Sequence, residues 1–359
     1  MVHEQERAEL RSQIIDGDSK GVSGIFWPVG SHWWDKTVEA EDVMQVVMDR
    51  VKKTATNHGI LFLPQLPARA TAEEMEHAPQ HHPKWGIDAS QSQIVFDEEV
   101  YEAALATMTL DTTLDFSSDA AAGFHAVYNS AGEFAQARLV KTEWASPGCA
   151  RRIWPDKVTP VKVEAVQGTI YPLLTRGHIA RLNQLYPNQP IAVSVDNPSS
   201  PSGEAAIDNI KMFGFDDAPP VLLAYHDCAG PQVEAVLPKI DILHVEHPAH
   251  KSIFVGHEQA VAEYIKRRGM FAVGVVSNSA SGVAELAKTC GMIFDPDIVR
   301  SQGMAGYDSV VDWIRENQRQ AADAVVKQYV DFVTMLAAMT GVQQELVARL
   351  CYISTTCGL

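Results

Sequence analysis

The chain has no run of lysine or arginine, no apolar stretch approaching a membrane span, no internal repeat and no low-complexity tract. With no basic stripe, a formal net charge of -16 and a pI near 5.2, nucleic acid and anionic membranes are not expected as partners. The opening MVHEQERAEL is charged where a signal peptide would be apolar, so a cytoplasmic protein is expected. Cysteine is sparse as well. Five of them, an odd number widely scattered, do not suggest a disulfide framework and leave thiols free to bind metal.

What is present suits an ordinary globule, because 46% of residues are hydrophobic and 21% charged. A length of 359 residues exceeds the usual domain, yet strand–helix barrels reach it as one unit. Short apolar runs at 24–29, 59–64, 161–166, 190–195, 220–225, 240–245 and 270–276 read as buried parallel strands. Amphipathic stretches such as 258–268 and 177–185 lie between them. This alternation predicts an α/β fold, either a TIM-type (β/α)8 barrel or an open doubly wound sheet, with chemistry at the carboxyl ends of the strands.

A single domain over 1–359 is expected, carrying an irregular insertion at about 80–154 and a helical insertion at about 283–350. The first contains the turn-rich pieces HHPKWGIDASQSQ, DFSSDAAAG and WASPGC. In the second, 307–339 reads as a long helix with Val310, Val311, Ile314, Ala321, Ala324, Val325, Val330, Val333 and Leu336 on its apolar face. Gly341 ends that helix, 342–350 supplies another, and CYISTTCGL reads as a terminal strand.

The strongest local signal is VLLAYHDCAG, which sets His226 and Cys228 two residues apart. On an extended strand such residues share a side and can grip one ion; equally, the pair reads as a partly buried histidine beside a core cysteine. The next strand, KIDILHVEHPAH, ends in Glu246, on the same face as His244 and followed by His247. A carboxylate there can complete a nitrogen, sulfur and oxygen shell suited to zinc, or it is a solvated loop acid. In the terminal strand Cys357 precedes Gly358, whereas Cys351 lies earlier and reads as packing. Cys149 and Cys290 have no metal-spaced companion and read as small apolar side chains.

His-x-Cys, a glutamate ending the following strand and a C-terminal Cys-Gly-Leu together resemble the catalytic half of cobalamin-independent methionine synthase and its relatives, within the uroporphyrinogen decarboxylase-like superfamily. Pro28-Val29-Gly30-Ser31 resembles the family's first-strand Val-Gly-Ser, VKVEAVQGTIYPLL its "GPlT" strand, AVSVDNPSSP its "IDEPA" strand and FAVGVVSNSAS its "GVVD" strand. The resemblance implies a (β/α)8 barrel and a zinc-dependent transfer of a methyl or alkyl group to a thiol, with homocysteine as the default acceptor and a place in methionine biosynthesis. It implies zinc ligands at His226, Cys228, Glu246 and Cys357, and a substrate pocket containing Ser31, Asp196 and Asn278. Asp196 meets the substrate amine in that scheme and, with Glu246, is a catalytic residue.

The departures are Ser277-Asn278-Ser279-Ala280 where the family has Asp-x-His-Ser, and Asn197 in place of the glutamate of "DEPA". Methylfolate and methylcobamide therefore both stand as donors, the latter carried by a separate corrinoid protein because no Asp-x-His-x-x-Gly segment is present. The run FWPVGSHWW, with Trp27, Trp33 and Trp34, reads as a flat wall for such a donor or as core and rim packing. A homodimer is compatible with this scheme. Other readings are a non-catalytic zinc-stabilised barrel and a metal-free decarboxylase.

Overall fold

The computed structural model describes residues 3–16, 26–27, 40–64, 86–88, 93–107, 122–150, 154–197, 203–226, 232–245, 252–276, 286–288, 290–292, 310 and 312–355. Eight parallel strands form one sheet: β1 (Phe26–Trp27), β2 (Ile60–Phe62), β5 (Leu139–Ala145), β6 (Ile191–Asp196), β7 (Leu222–His226), β8 (Ile242–Val245), β9 (Met270–Val276) and β10 (Cys351–Thr355). Their order across the sheet is β1-β10-β9-β8-β7-β6-β5-β2. From β5 to β10 each strand therefore pairs with its successor in the chain, as happens when helical crossovers all return on one face. A short antiparallel pair, β3 (Gly86–Asp88) and β4 (Gln93–Val95), stands apart.

The sheet is curled. Side chains from β1, β2, β5, β8, β9 and β10, among them Trp27, Ile60, Leu139, Ile242, Met270 and Tyr352, line one small cavity at its amino end. That end is covered by α1 (Glu4–Asp16), which buries Ile14 and Ile15. Arg7 and Arg11 of α1 both bind the buried Asp241 just before β8, Arg7 Nε at 2.8 Å. Among the described residues no helix is long and apolar enough to cross a membrane.

The other helices are α2 (Ala40–His58), α3 (Glu98–Thr107), α4 (Ala122–Asn129), α5 (Pro147–Ala150), α6 (Pro160–Leu185), α7 (Gly203–Met212), α8 (Val233–Val236), α9 (Glu258–Lys266), α10 (Gln318–Thr340) and α11 (Gln344–Leu350). Gly59, at φ 70°, turns the chain from α2 directly into β2, a backbone region that costs a residue with a Cβ. Gly341, at φ 68°, ends α10 as the sequence predicts. The expected helix over 307–339 is interrupted at Asn317 before α10 begins. Phe332, Val333 and Leu336 of α10 are buried, with Phe332 against Phe254 and Phe271, while Val330 faces outward at 45% exposure.

Two sequence expectations are corrected. The stretch 161–166, read as a strand and likened to the family's "GPlT" strand, is the first part of α6. Its alternating valines mimic a strand over six residues, but Thr159 caps the amide of Lys162 and Pro160 occupies the first turn, both helix-start signals. The burial of Val163, Val166, Ile170 and Leu174, spaced three or four apart, is helical, and Val161 is left 76% exposed. Conversely, β5 lies in the stretch 80–154 read as irregular, yet it pairs with both β2 and β6 at the centre of the site described below.

Candidate functional site

Parallel pairing puts Cα partners on the same side of the sheet, so the register defines what points inward. Thr142 and Trp144 of β5 contact His178 of α6 and therefore face the helices. Lys141 and Glu143 consequently face the interior. Glu143 pairs with Ser194 in register, and the next row runs Asp196, His226, His244 across the ends of β6, β7 and β8. Ser354 of β10 reaches the same cluster, its Oγ 3.1 Å from His244 Nε2 while donating to the Trp27 carbonyl at 2.8 Å.

This interior is polar and enclosed. Lys141, Glu143, Asp196, His226 and His244 are each at most 2% exposed. Lys141 Nζ forms an ion pair with Glu143 and lies 5.4 Å above the Trp27 ring centroid. The nearest Asp196 oxygen and His226 Nδ1 are 2.8 Å apart, outside the alignment of a hydrogen bond. The rings of His226 and His244 stack at 4.2 Å. Ligand atoms of Glu143, Asp196 and His226 all lie within 4.8 Å of one another, an arrangement able to hold a metal ion. Beside it Ser146 donates to Asn197 at 2.9 Å and Asn197 donates to the Tyr225 hydroxyl at 3.0 Å, which fixes the end of β6.

No protein-family model and no curated protein matches this chain. The site is therefore read from its own geometry.

Of the residues singled out in the sequence, the structure brings Asp196 and His226 together, each ending an inner strand. Ser31, Cys228, Glu246, Asn278 and Cys357 lie outside the described residues, as do Trp33, Trp34 and His247. Trp27 is in the core, 1% exposed, facing Lys141. Cys351 is buried as packing and burial pushes its thiol pKa up; Cys290 is half-buried. Glu143 and Lys141 were not foreseen. The available signal was LVKTEWA, a β-type alternation in which the charged residues occupy one side, an inverted pattern that conceals an inner strand.

The donor set suits a divalent ion. Two carboxylates and an imidazole accommodate zinc among other first-row metals, since zinc takes nitrogen and oxygen donors as well as thiolate. Two donors of a tetrahedral zinc at about 2.0–2.1 Å would stand roughly 3.3 Å apart. Asp196 and His226 Nδ1 are closer than that. In a metal centre, a contact this close would make Asp196 an outer carboxylate, with His226 binding through its other nitrogen.

Proposed function

We propose that this protein is a zinc-dependent transferase that alkylates a thiol, on a (β/α)8 barrel closed between β1 and β2. The observation that carries the reading is the position of His226. Its imidazole is fully enclosed at the carboxyl end of β7, 2.8 Å from Asp196, near Glu143 and two residues before Cys228. Carboxyl ends of inner strands are where barrel enzymes assemble their sites. A buried carboxylate on a histidine nitrogen is the usual device for orienting a metal ligand.

In this reading His226 holds zinc together with Cys228, Cys357 and Glu246, the set implied by the family resemblance. When bound, zinc supplies the deprotonation that turns a thiol into a nucleophile. Asp196 keeps the His226 ring turned toward the ion. Glu143, paired with Lys141, and Asp196 together face a cationic group on the substrate, which a thiol such as homocysteine carries as its amine. Excluding water from this interior strengthens each of these interactions. The transfer forms a sulfur–carbon bond and breaks the bond between that carbon and its donor, methylfolate or a methylcobamide on a separate protein.

The test is X-ray absorption at the zinc edge of metal-loaded protein with and without homocysteine and other thiols. The correct thiol adds one sulfur scatterer to the shell and, with methyl-tetrahydrofolate or methylcobalamin, is converted to its methyl thioether. An unchanged shell with every thiol would overturn the reading.

A further inference from the structure

The amino end of the sheet contains a second cavity, of about 210 Å3. Ile207 and Ile210 of α7, Phe215 just after it, and Val221 and Leu223 at the start of β7 form an apolar floor. Leu223 precedes His226 by three residues, so its side chain leaves the opposite face of the sheet and the cavity is separate from the polar interior. Several water-sized volumes of about 30 Å3 fit within it, enough for a short aliphatic or single-ring body.

The rim has a different character. Arg7, Lys211 and Lys239 line it against one acid, Asp216, with His3 alongside. Counted formally, these lining residues carry an excess of two positive charges in a chain whose net charge is -16. The Arg7 guanidinium, 4% exposed, is anchored on Asp241 and donates to the Lys239 carbonyl at 3.1 Å, which fixes the backbone from which the Lys239 side chain extends. Lys239 is exposed and forms no ion pair among the described residues, and Lys211 has only a distant, exposed partner in Asp208 at 3.4 Å. An apolar floor beneath the exposed ammonium of Lys239 and that of Lys211, which has one exposed carboxylate partner, matches a ligand with an apolar body and one anionic head.

We propose that this cavity is a binding site for a small amphipathic monoanion, a carboxylate on an aliphatic or aromatic body, distinct from the metal-competent interior and independent of it. The probe is octanoate, titrated calorimetrically into the full-length protein, with octylamine as the charge-reversed control. Octanoate should saturate a single site with a Kd of about 1 mM or tighter, while octylamine should not bind. The double variant Lys211→Glu, Lys239→Glu changes only exposed side chains and should weaken octanoate at least about tenfold. Ile207→Trp, which fills the floor, should weaken it without lowering the thermal midpoint. His226→Ala should leave it unchanged. Absence of octanoate binding, equal binding of octylamine, or undiminished binding by the double variant would each overturn the assignment.

Discussion

Asp241 at the amino end of the sheet and Asp196 at its carboxyl end are both buried aspartates on adjacent parts of the same fold, yet their surroundings differ. Asp241 accepts from Arg7, from Arg11 and from the Leu223 amide at 2.8 Å, and Glu4 helps neutralise the second arginine. Burial would lower the Arg11 pKa, but Asp241 and Glu4 hold it above its ordinary value. Among the described residues, the Asp196 side chain has one polar contact, with His226, in a cluster that also holds Glu143, His244 and one lysine. The comparison separates scaffold from site. A buried charge with its partners supplied by the chain holds α1 to the sheet, whereas the other cluster, with more acceptors than cations among the described residues, could hold a metal ion.

The sharpest way to break this comparison is Asp241→Asn. It leaves two buried guanidiniums facing a neutral amide, and removing one member of such a network typically costs about 3–5 kcal/mol. Urea unfolding should show a correspondingly lower midpoint, while the folded fraction keeps its metal. A loss under about 1 kcal/mol would mean that α1 is held by its apolar contacts and that the amino-end charges are not scaffold.

How much of this was legible in the sequence depended on whether a residue's side chain agreed with its position. Runs such as PIAVSV and VLLAYH are apolar on both faces, as buried parallel strands are, and β6, β7, β8 and β9 fall where they predict. His226 was found by the His-x-Cys spacing at the end of such a run, and Asp196 by the family resemblance alone. LVKTEWA was passed over because its inward positions are Lys141 and Glu143 and its apolar Trp144 faces the helices. Pairing between the two charges is what permits their burial, and that pairing is a tertiary fact. VKVEAV failed in the other direction, a short window in which period two and period three to four cannot be told apart without weighing the Thr-Pro cap before it. Asp241 carried no sequence signal at all, because its partners lie about 230 positions away in α1.

A second prediction sharpens the contrast with a histidine held between two hydroxyls. His178 is fully buried behind β5, with the Tyr128 hydroxyl 2.5 Å from Nδ1 and the Thr142 hydroxyl 3.2 Å from Nε2. Burial, aided by His125, depresses its pKa from 6.5 to about 3. The unfolded chain therefore binds this proton more readily between those values, and stability present above the unfolded pKa of 6.5 is lost as pH falls toward 3. At pH 5 the loss amounts to about 2 kcal/mol from this group. Urea titrations at pH 7 and pH 5 should show His178→Gln losing less stability than the parent by that amount. Equal losses would mean that the site is solvated enough to accept the proton.

The smallest expected change in stability belongs to Asp196→Asn, and it decides whether the carboxyl-end cluster is a site. The substitution preserves shape and removes the charge that faces His226 Nδ1 at 2.8 Å. If the cluster were scaffold, the effect would resemble that of Asp241→Asn, several kcal/mol with no particular consequence for metal. In a site, Asp196 contributes little to folding, because removing its charge relieves the repulsion between the Glu143 and Asp196 carboxylates. The expected change in unfolding free energy of the metal-free protein is then under about 1 kcal/mol, of either sign. Zinc affinity should fall about 10–100-fold, since the histidine loses the carboxylate that orients its ring and raises its basicity. Competition with a colorimetric chelator measures the affinity and urea unfolding of the chelated protein measures the stability. Undiminished zinc binding together with a large loss of stability would invert the comparison and make the carboxyl end the scaffold.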